Sequence, residues 1–136
     1  MKRLLLLLAA LGMVLAVAAG CSQQQGSEDK TDDSGYQQIS QEEAAALMES
    51  ESDYVLLDVR TPQEFAESHI PGAICIPNEK ITGEAMLPQL PEKDKLILVY
   101  CRSGNRSKQA AEKLVKAGYT NVKEFGGIID WTGAVE

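Results

Sequence analysis

Leu96-Ile97-Leu98-Val99-Tyr100-Cys101-Arg102-Ser103-Gly104-Asn105-Arg106-Ser107 is the stretch that decides how this chain folds. Leu96 to Tyr100 are apolar without alternation, which fits a parallel strand covered on both faces better than one with a wet face. Beyond the loop, Ala110, Ala111, Leu114 and Val115 recur at helical spacing and Gly118 follows as a C-terminal stop, so a helix is expected to start near Ser107. Strand, short loop and helix put Cys101 at the carboxyl end of a strand, facing a helix N-terminus. That is the edge at which open α/β sheets bind ligands.

The chemistry follows from this placement. Consecutive loop amides at the positive end of a helix favour an anion at their centre. The anion can be the Cys101 thiolate itself, because a helix N-terminus and neighbouring arginines favour the ionised sulfur, which is the nucleophile. Arg102 and Arg106 add two cations able to hold an anionic substrate through forked hydrogen bonds. Gly104 lets the backbone curl where a Cβ would obstruct. Ser103 and Ser107 bring hydroxyls that either donate to a bound sulfur or cap the helix, and capping is the expected role of Ser107. The plain alternative for Cys101 is a small buried residue at a strand end; the flanking arginines and the glycine favour catalysis.

The segment Cys101-Arg102-Ser103-Gly104-Asn105-Arg106-Ser107 closely resembles the active-site loop of single-domain rhodanese-like sulfurtransferases, in which the cysteine carries a transferable sulfur as a persulfide. Asp58-Val59-Arg60-Thr61-Pro62-Gln63-Glu64-Phe65, His69-Ile70-Pro71-Gly72-Ala73 and Phe125-Gly126-Gly127-Ile128-Ile129-Asp130-Trp131 resemble the three other blocks of that family, in order. The resemblance runs from about Tyr36 to the C-terminus. It implies an α/β domain of three layers over residues 36–136, with a central, mostly parallel five-stranded sheet flanked by helices. It implies Cys101 as catalytic residue, Arg102, Ser103, Gly104, Asn105, Arg106 and Ser107 around the substrate, and Asp58 with Arg60 as framework near the pocket. The expected substrates are a small sulfur-containing anion such as thiosulfate and a cyanide, thiol or protein acceptor, with no metal and no organic cofactor.

The chain has 136 residues, 44% of them hydrophobic and 24% charged, which fits one ordinary globular domain with accessories. A formal net charge of -7 argues against nucleic-acid binding, which needs a basic footprint. Its three cysteines show no paired spacing of the kind a zinc ribbon or a disulfide scaffold uses.

Met1-Lys2-Arg3 followed by the apolar run Leu4 to Ala19 reads as an export signal, placing residues 1–20 outside the fold. Ala18-Ala19-Gly20-Cys21 resembles a bacterial lipobox, with Ala18 where leucine is usual, which implies a lipid on Cys21 and a protein held at the cell envelope outside the cytoplasmic membrane. Cleavage after Ala16-Val17-Ala18, or retention as an uncleaved anchor, are the competing readings. Residues 21–35 are almost wholly polar and acidic and are expected to form a flexible tether, too negative to hold an anionic lipid surface unaided.

Within the domain, a short edge strand is expected at Tyr36 to Ile39. Ser40-Gln41-Glu42-Glu43 and Thr61-Pro62-Gln63-Glu64 read as helix starts with capping boxes. Further strands are expected at Tyr54 to Val59, Ala73 to Ile76 and Asn121 to Phe125, with a short helix within Ile81 to Leu90 and another holding Trp131. Asp58, closing an apolar strand, is expected to pair with Arg60. His69, the only histidine, invites a general-base reading, but its Ile-Pro-Gly context favours a structural turn. Cys75 stands where the family usually has a polar residue; it either fills a strand position or acts as a second thiol that pairs with Cys101.

Two other functions remain open. Cysteine-dependent phosphatases and arsenate reductases also wrap an anion in a strand-loop-helix loop, but place an arginine six positions after the cysteine, where this chain has Ser107; Arg106 comes one position early. A persulfide carrier or partner-binding module without turnover is the second.

Overall fold

The computed structural model describes Lys30–Thr31 and residues 34–136. The expected export signal, Cys21 and most of the expected tether lie outside the described residues. Inside the tether stretch, Lys30–Thr31 forms a two-residue strand, β1, paired antiparallel to β2 (Gln37–Gln38).

The remaining elements alternate as expected: α1 (Gln41–Ser50), β3 (Tyr54–Asp58), α2 (Pro62–Glu67), β4 (Ile74–Cys75), β5 (Leu96–Cys101), α3 (Asn105–Lys116) and β6 (Val122–Gly127). The sheet runs in the order β1-β2-β6-β5-β3-β4. The five strands from β2 to β4 are mutually parallel, and β1 adds a sixth, antiparallel edge strand to the five expected.

All six residues of β5 are buried, because helices cover both faces of the sheet. On one face Leu57, Val59, Ile97, Val99 and Cys101 pack against Ala110, Ala111 and Leu114 of α3. On the other, Leu56, Leu98 and Tyr100 pack with Ala44 of α1 and Phe125. Burying a side chain such as Leu98 contributes about 2 kcal/mol relative to leaving it in water, so this central pair of strands anchors the domain.

Local signals behaved as local physics requires. Both capping boxes form: the Ser40 and Thr61 hydroxyls accept from the Glu43 and Glu64 amides, and those glutamates accept from the cap amides. Gly118, with φ +111, ends α3, its amide donating to Val115 and that of Tyr119 to Leu114.

Three expectations need correction. No helix forms between Ile81 and Leu90; a single 3₁₀ turn at Asn78–Lys80 precedes an irregular stretch. Gly83 (φ +77) and Pro88 interrupt it, and the Tyr119 hydroxyl fixes it instead, accepting from the Leu87 amide and donating to the Leu90 carbonyl. The terminal helix is only a 3₁₀ turn, Ile128–Asp130, with Trp131 just after it, its ring 5.7 Å from that of Phe125. α3 starts at Asn105, two residues earlier than expected.

Candidate active site

The site is built where β5 hands over to α3. Cys101 ends the strand with its side chain on the α3 face, and the chain doubles back over it through Arg102 and Ser103 to Gly104. Gly104 sits at φ +110, in the left-handed region, and starts the helix without a side-chain cap. Its amide donates to Cys101 Sγ at 3.0 Å. This is the anion-favouring geometry that the loop composition suggests.

Two elements outside the loop hold it in place. Gly127, at the end of β6, lies so close to Arg102 that a Cβ there would fall 2.0 Å from the Arg102 carbonyl oxygen. The Ile129 amide donates to that same oxygen at 3.2 Å. Cys101 is consequently 1% exposed, at the floor of the loop rather than open at its rim. The sulfur thus lies on a covered face, overlain by its own loop.

Arg102, Ser103 and Asn105 of the loop are exposed. The Arg102 side chain has no hydrogen-bond or ion-pair partner among the described residues. Arg106 differs. Its two terminal nitrogens donate to the two carboxylate oxygens of Glu64, at 2.7 and 2.9 Å. The hydrogen bond from Arg106 holds the Glu64 carboxyl down at about 2, and the same bond raises Arg106, to which the nearby Cys101 sulfur adds. Arg106 is therefore a fixed charge near the sulfur with its fork already occupied.

Ser107 does not cap the helix. Because Gly104 turns the chain early, Ser107 falls in the first turn of α3, fully buried and pointing inward. Its hydroxyl donates to Glu124 Oε1 at 2.7 Å, is 2.9 Å from the Gly104 carbonyl, and accepts from the Cys101 thiol at 3.4 Å.

Asp58 and Arg60 pair as expected, fully beneath the surface: Arg60 Nη2 lies 2.6 Å from Asp58 Oδ2 and 2.6 Å from the Ser68 carbonyl. Burial works against the Arg60 charge, and the Asp58 carboxylate more than compensates, leaving the guanidinium above its ordinary value. The pair sits beside Tyr100, whose ring lies 5.8 Å from the Arg60 guanidinium carbon. It braces the C-terminal end of α2, the helix that carries Glu64. His69 is a structural turn residue: its ring stacks on Phe65 at 3.8 Å, Nδ1 meets the Phe65 carbonyl, and Nε2 lies 3.2 Å from the Glu136 carboxylate.

Sheet register separates the two thiols. Asp58 is in register with both Cys75 on β4 and Tyr100 on β5, so Cys75 shares the Tyr100 face while Cys101, the next residue, takes the other. Two strand spacings are about 9–10 Å, beyond the roughly 7 Å a disulfide tolerates between Cα atoms. Both cysteines are free, and burial pushes the Cys75 thiol up.

Sequence reasoning missed Glu124, a buried carboxylate at the base of the loop, and the second task of Glu64. Both Lys123 and Glu124 fall in the strand expected at Asn121 to Phe125, and it is the burial pattern of β6 that turns Glu124 inward.

A rhodanese-like domain family model matches residues 40–134. Thiosulfate sulfurtransferase PspE of Escherichia coli strain K12 is 39% identical, the match covering 54% of this chain and 70% of that protein. A sulfurtransferase of Allochromatium vinosum is 38% identical over 69% of this chain and 86% of its own. Among solved structures, an E. coli rhodanese with anions superposes with a TM-score of 0.55 at 35% identity, covering 61% of this chain and 96% of that one.

Proposed function

This chain belongs to the rhodanese-like family and is a rhodanese-like sulfurtransferase; from that premise we propose that it moves sulfane sulfur from thiosulfate, or a similar donor, to a thiophilic acceptor through a persulfide on Cys101. The Cys101 thiolate attacks the outer sulfur of thiosulfate. The S–S bond of the donor breaks, sulfite departs with the electron pair, and the transferred sulfur remains as an anionic persulfide. Cyanide or a thiolate then attacks that outer sulfur, the new S–S bond breaks, and the thiolate returns. The result is ping-pong kinetics.

The observation that carries this reading is the Gly104 amide aimed at Cys101 Sγ at 3.0 Å. A donor fixed in place before the reaction stabilises negative charge on sulfur without reorganisation. Arg102, exposed and unpartnered among the described residues, meets the incoming sulfonate, while Ser103 and Asn105 form the rim. Arg106 supplies field from a position locked by Glu64. Asp58 and Arg60 act through the framework. The cysteine sulfur itself carries the group, so the reaction calls for no metal and no organic cofactor.

We also propose that the protein is exported and held at the outer side of the cytoplasmic membrane by a lipid on Cys21, the acidic tether leaving the domain free to meet periplasmic or extracellular sulfur compounds. Replacing Cys21 by Ser should release it from the membrane fraction.

The test of the chemistry is Cys101→Ser. Thiosulfate:cyanide transfer should be lost while the fold is retained, and intact mass after thiosulfate should show one added sulfur on the wild type that cyanide removes. Equal transfer by the variant would overturn the proposal. A second reading, a persulfide carrier that discharges only to a docked partner protein, draws on the burial of Cys101, 1% exposed. Wild-type protein that takes up sulfur but does not turn over with cyanide or small thiols would favour it. The phosphatase and arsenate reductase readings are disfavoured because Arg106, the arginine nearest the position they require, has both terminal nitrogens on Glu64.

A further inference from the structure

Glu124 is 2% exposed, and no lysine, arginine or histidine pairs with its carboxylate among the described residues. Its bonds are to neutral groups: Oε1 accepts from the Ser107 hydroxyl at 2.7 Å and from the Gly126 amide at 2.7 Å, and Oε2 lies 3.5 Å from Gln38 Nε2. A buried charge compensated only by neutral donors is an expensive arrangement. It becomes intelligible from what lies on the far side of Ser107, where the Cys101 thiol donates to Ser107 Oγ at 3.4 Å.

We propose that Glu124 is a positioning residue that stores the proton of Cys101, with the Ser107 hydroxyl as relay. This inference rests on the persulfide chemistry proposed above and names what makes the attacking thiolate. A serine hydroxyl has a single proton to donate. While Glu124 is a carboxylate, that proton is directed at it, and Ser107 can only accept from the thiol. For Cys101 to react, its S–H bond breaks and the proton goes to Ser107 Oγ, as the Ser107 O–H bond breaks and that proton goes to Glu124 Oε1. No electrons leave the chain. One negative charge moves from the carboxylate to the sulfur, and the bonds reverse direction: Glu124 now donates to Ser107, and Ser107 donates to the thiolate.

Two anions one hydroxyl apart in a buried site repel each other, so a single proton on the path from Cys101 through Ser107 to Glu124 serves both groups. The other groups around Glu124 leave this pairing undisturbed. Lys123 lies on the opposite face of β6 and donates to Gln37, Arg106 of α3 is held by Glu64, and the facing residue of β2, Gln38, is neutral. Glu42 of α1 and Asp130 of the last 3₁₀ turn line the shallow groove beside it and are both anionic, so they add no cation to Glu124.

The test compares infrared difference spectra of the full protein before and after Cys101 is blocked with iodoacetamide. In the resting protein the relayed form holds, with the sulfur an anion and its proton on Glu124; blocking removes that anion, so the carboxylic-acid band of Glu124 should be lost and a carboxylate band gained. The same difference should be absent in Glu124→Gln and in Ser107→Ala, and Cys101→Ser, which needs no change at Glu124, should lack the acid band from the start. A blocked wild type with no carboxyl change refutes the relay, whether or not the Glu124 variant folds. Thiosulfate:cyanide transfer measured in parallel separates the two proposals. Transfer without the carboxyl change overturns the proton store alone, and the carboxyl change without transfer overturns the sulfurtransferase chemistry alone.

Discussion

Replacing Gly127 by Ala should disable the site through backbone contact alone. Gly127 has φ -133 and ψ 151, an extended conformation open to any residue, so the substitution introduces no torsional strain. Its Cβ, however, would sit 2.0 Å from the Arg102 carbonyl oxygen, 2.4 Å from the Arg102 carbonyl carbon and 2.6 Å from Ser103 Cα. None of these is the end of a pliable side chain. To regain an ordinary contact of 3.4 Å from 2.0 Å, the loop or β6 has to retreat by about 1.4 Å. That strains the packing by about 1–3 kcal/mol and breaks the bond from Ile129 to Arg102, for about 1 kcal/mol more. A loss of about 2–4 kcal/mol in a urea melt is expected. The same displacement carries the Gly104 amide off the sulfur, and misplacement on the order of 1 Å costs about 100-fold in rate, read as kcat for thiosulfate:cyanide transfer. Gly72→Ala is the control: φ +86 gives about 1–2 kcal/mol of torsional cost, but nothing lies within 4 Å of its Cβ, and transfer should persist. A Gly127→Ala protein with wild-type stability and kcat would refute the claim that close approach of β6 shapes the loop.

Asp58→Ala should cost about 3–5 kcal/mol in urea, because it leaves the Arg60 guanidinium buried and unpaired; Asp58→Ala with Arg60→Met should recover part of that loss, and a single variant as stable as wild type would count against the bracing role. Glu64 gives a pH signature. Its folded carboxyl is held at about 2 against an ordinary 4.5, so the unfolded chain takes up the proton first; the stabilisation is complete above 4.5 and fades as pH falls towards 2. The pair is partly exposed, which discounts the contribution to about 1–2 kcal/mol, and Glu64→Gln should flatten that acid limb of the stability curve. Arg102→Ala should raise KM for thiosulfate several-fold with little change in kcat and a weaker dependence on salt, since the exposed guanidinium meets the donor without holding the loop; an equal fall in kcat would place Arg102 in the transition state instead.

The central architecture was legible from the chain because its signals are local. An unbroken apolar run says that both strand faces are covered, and in β5 they are. Ser40 with Glu43, Thr61 with Glu64 and Gly118 after α3 close bonds over three or four residues, and each forms as the residue types require. The helix expected between Ile81 and Leu90 failed for the complementary reason. Gly83 and Pro88 weaken it locally, and the Tyr119 hydroxyl that replaces its hydrogen bonds comes from a distant part of the chain.

The sequence alone determined that a cysteine would end a buried parallel strand and enter a glycine-bearing, doubly basic loop before a helix. Tertiary structure decided what surrounds that sulfur. Glu64 reaches Arg106 across 42 residues and Glu124 reaches Ser107 across 17. Gly127 meets Arg102 only because β6 lies beside β5, and the register around Asp58 puts Cys75 on the face away from Cys101. Periodicity and capping report what a residue does to its own turn or pleat. Contacts made by strand order and register leave no such mark, so the partners that fix the arginine, the serine and the loop had to be seen in three dimensions.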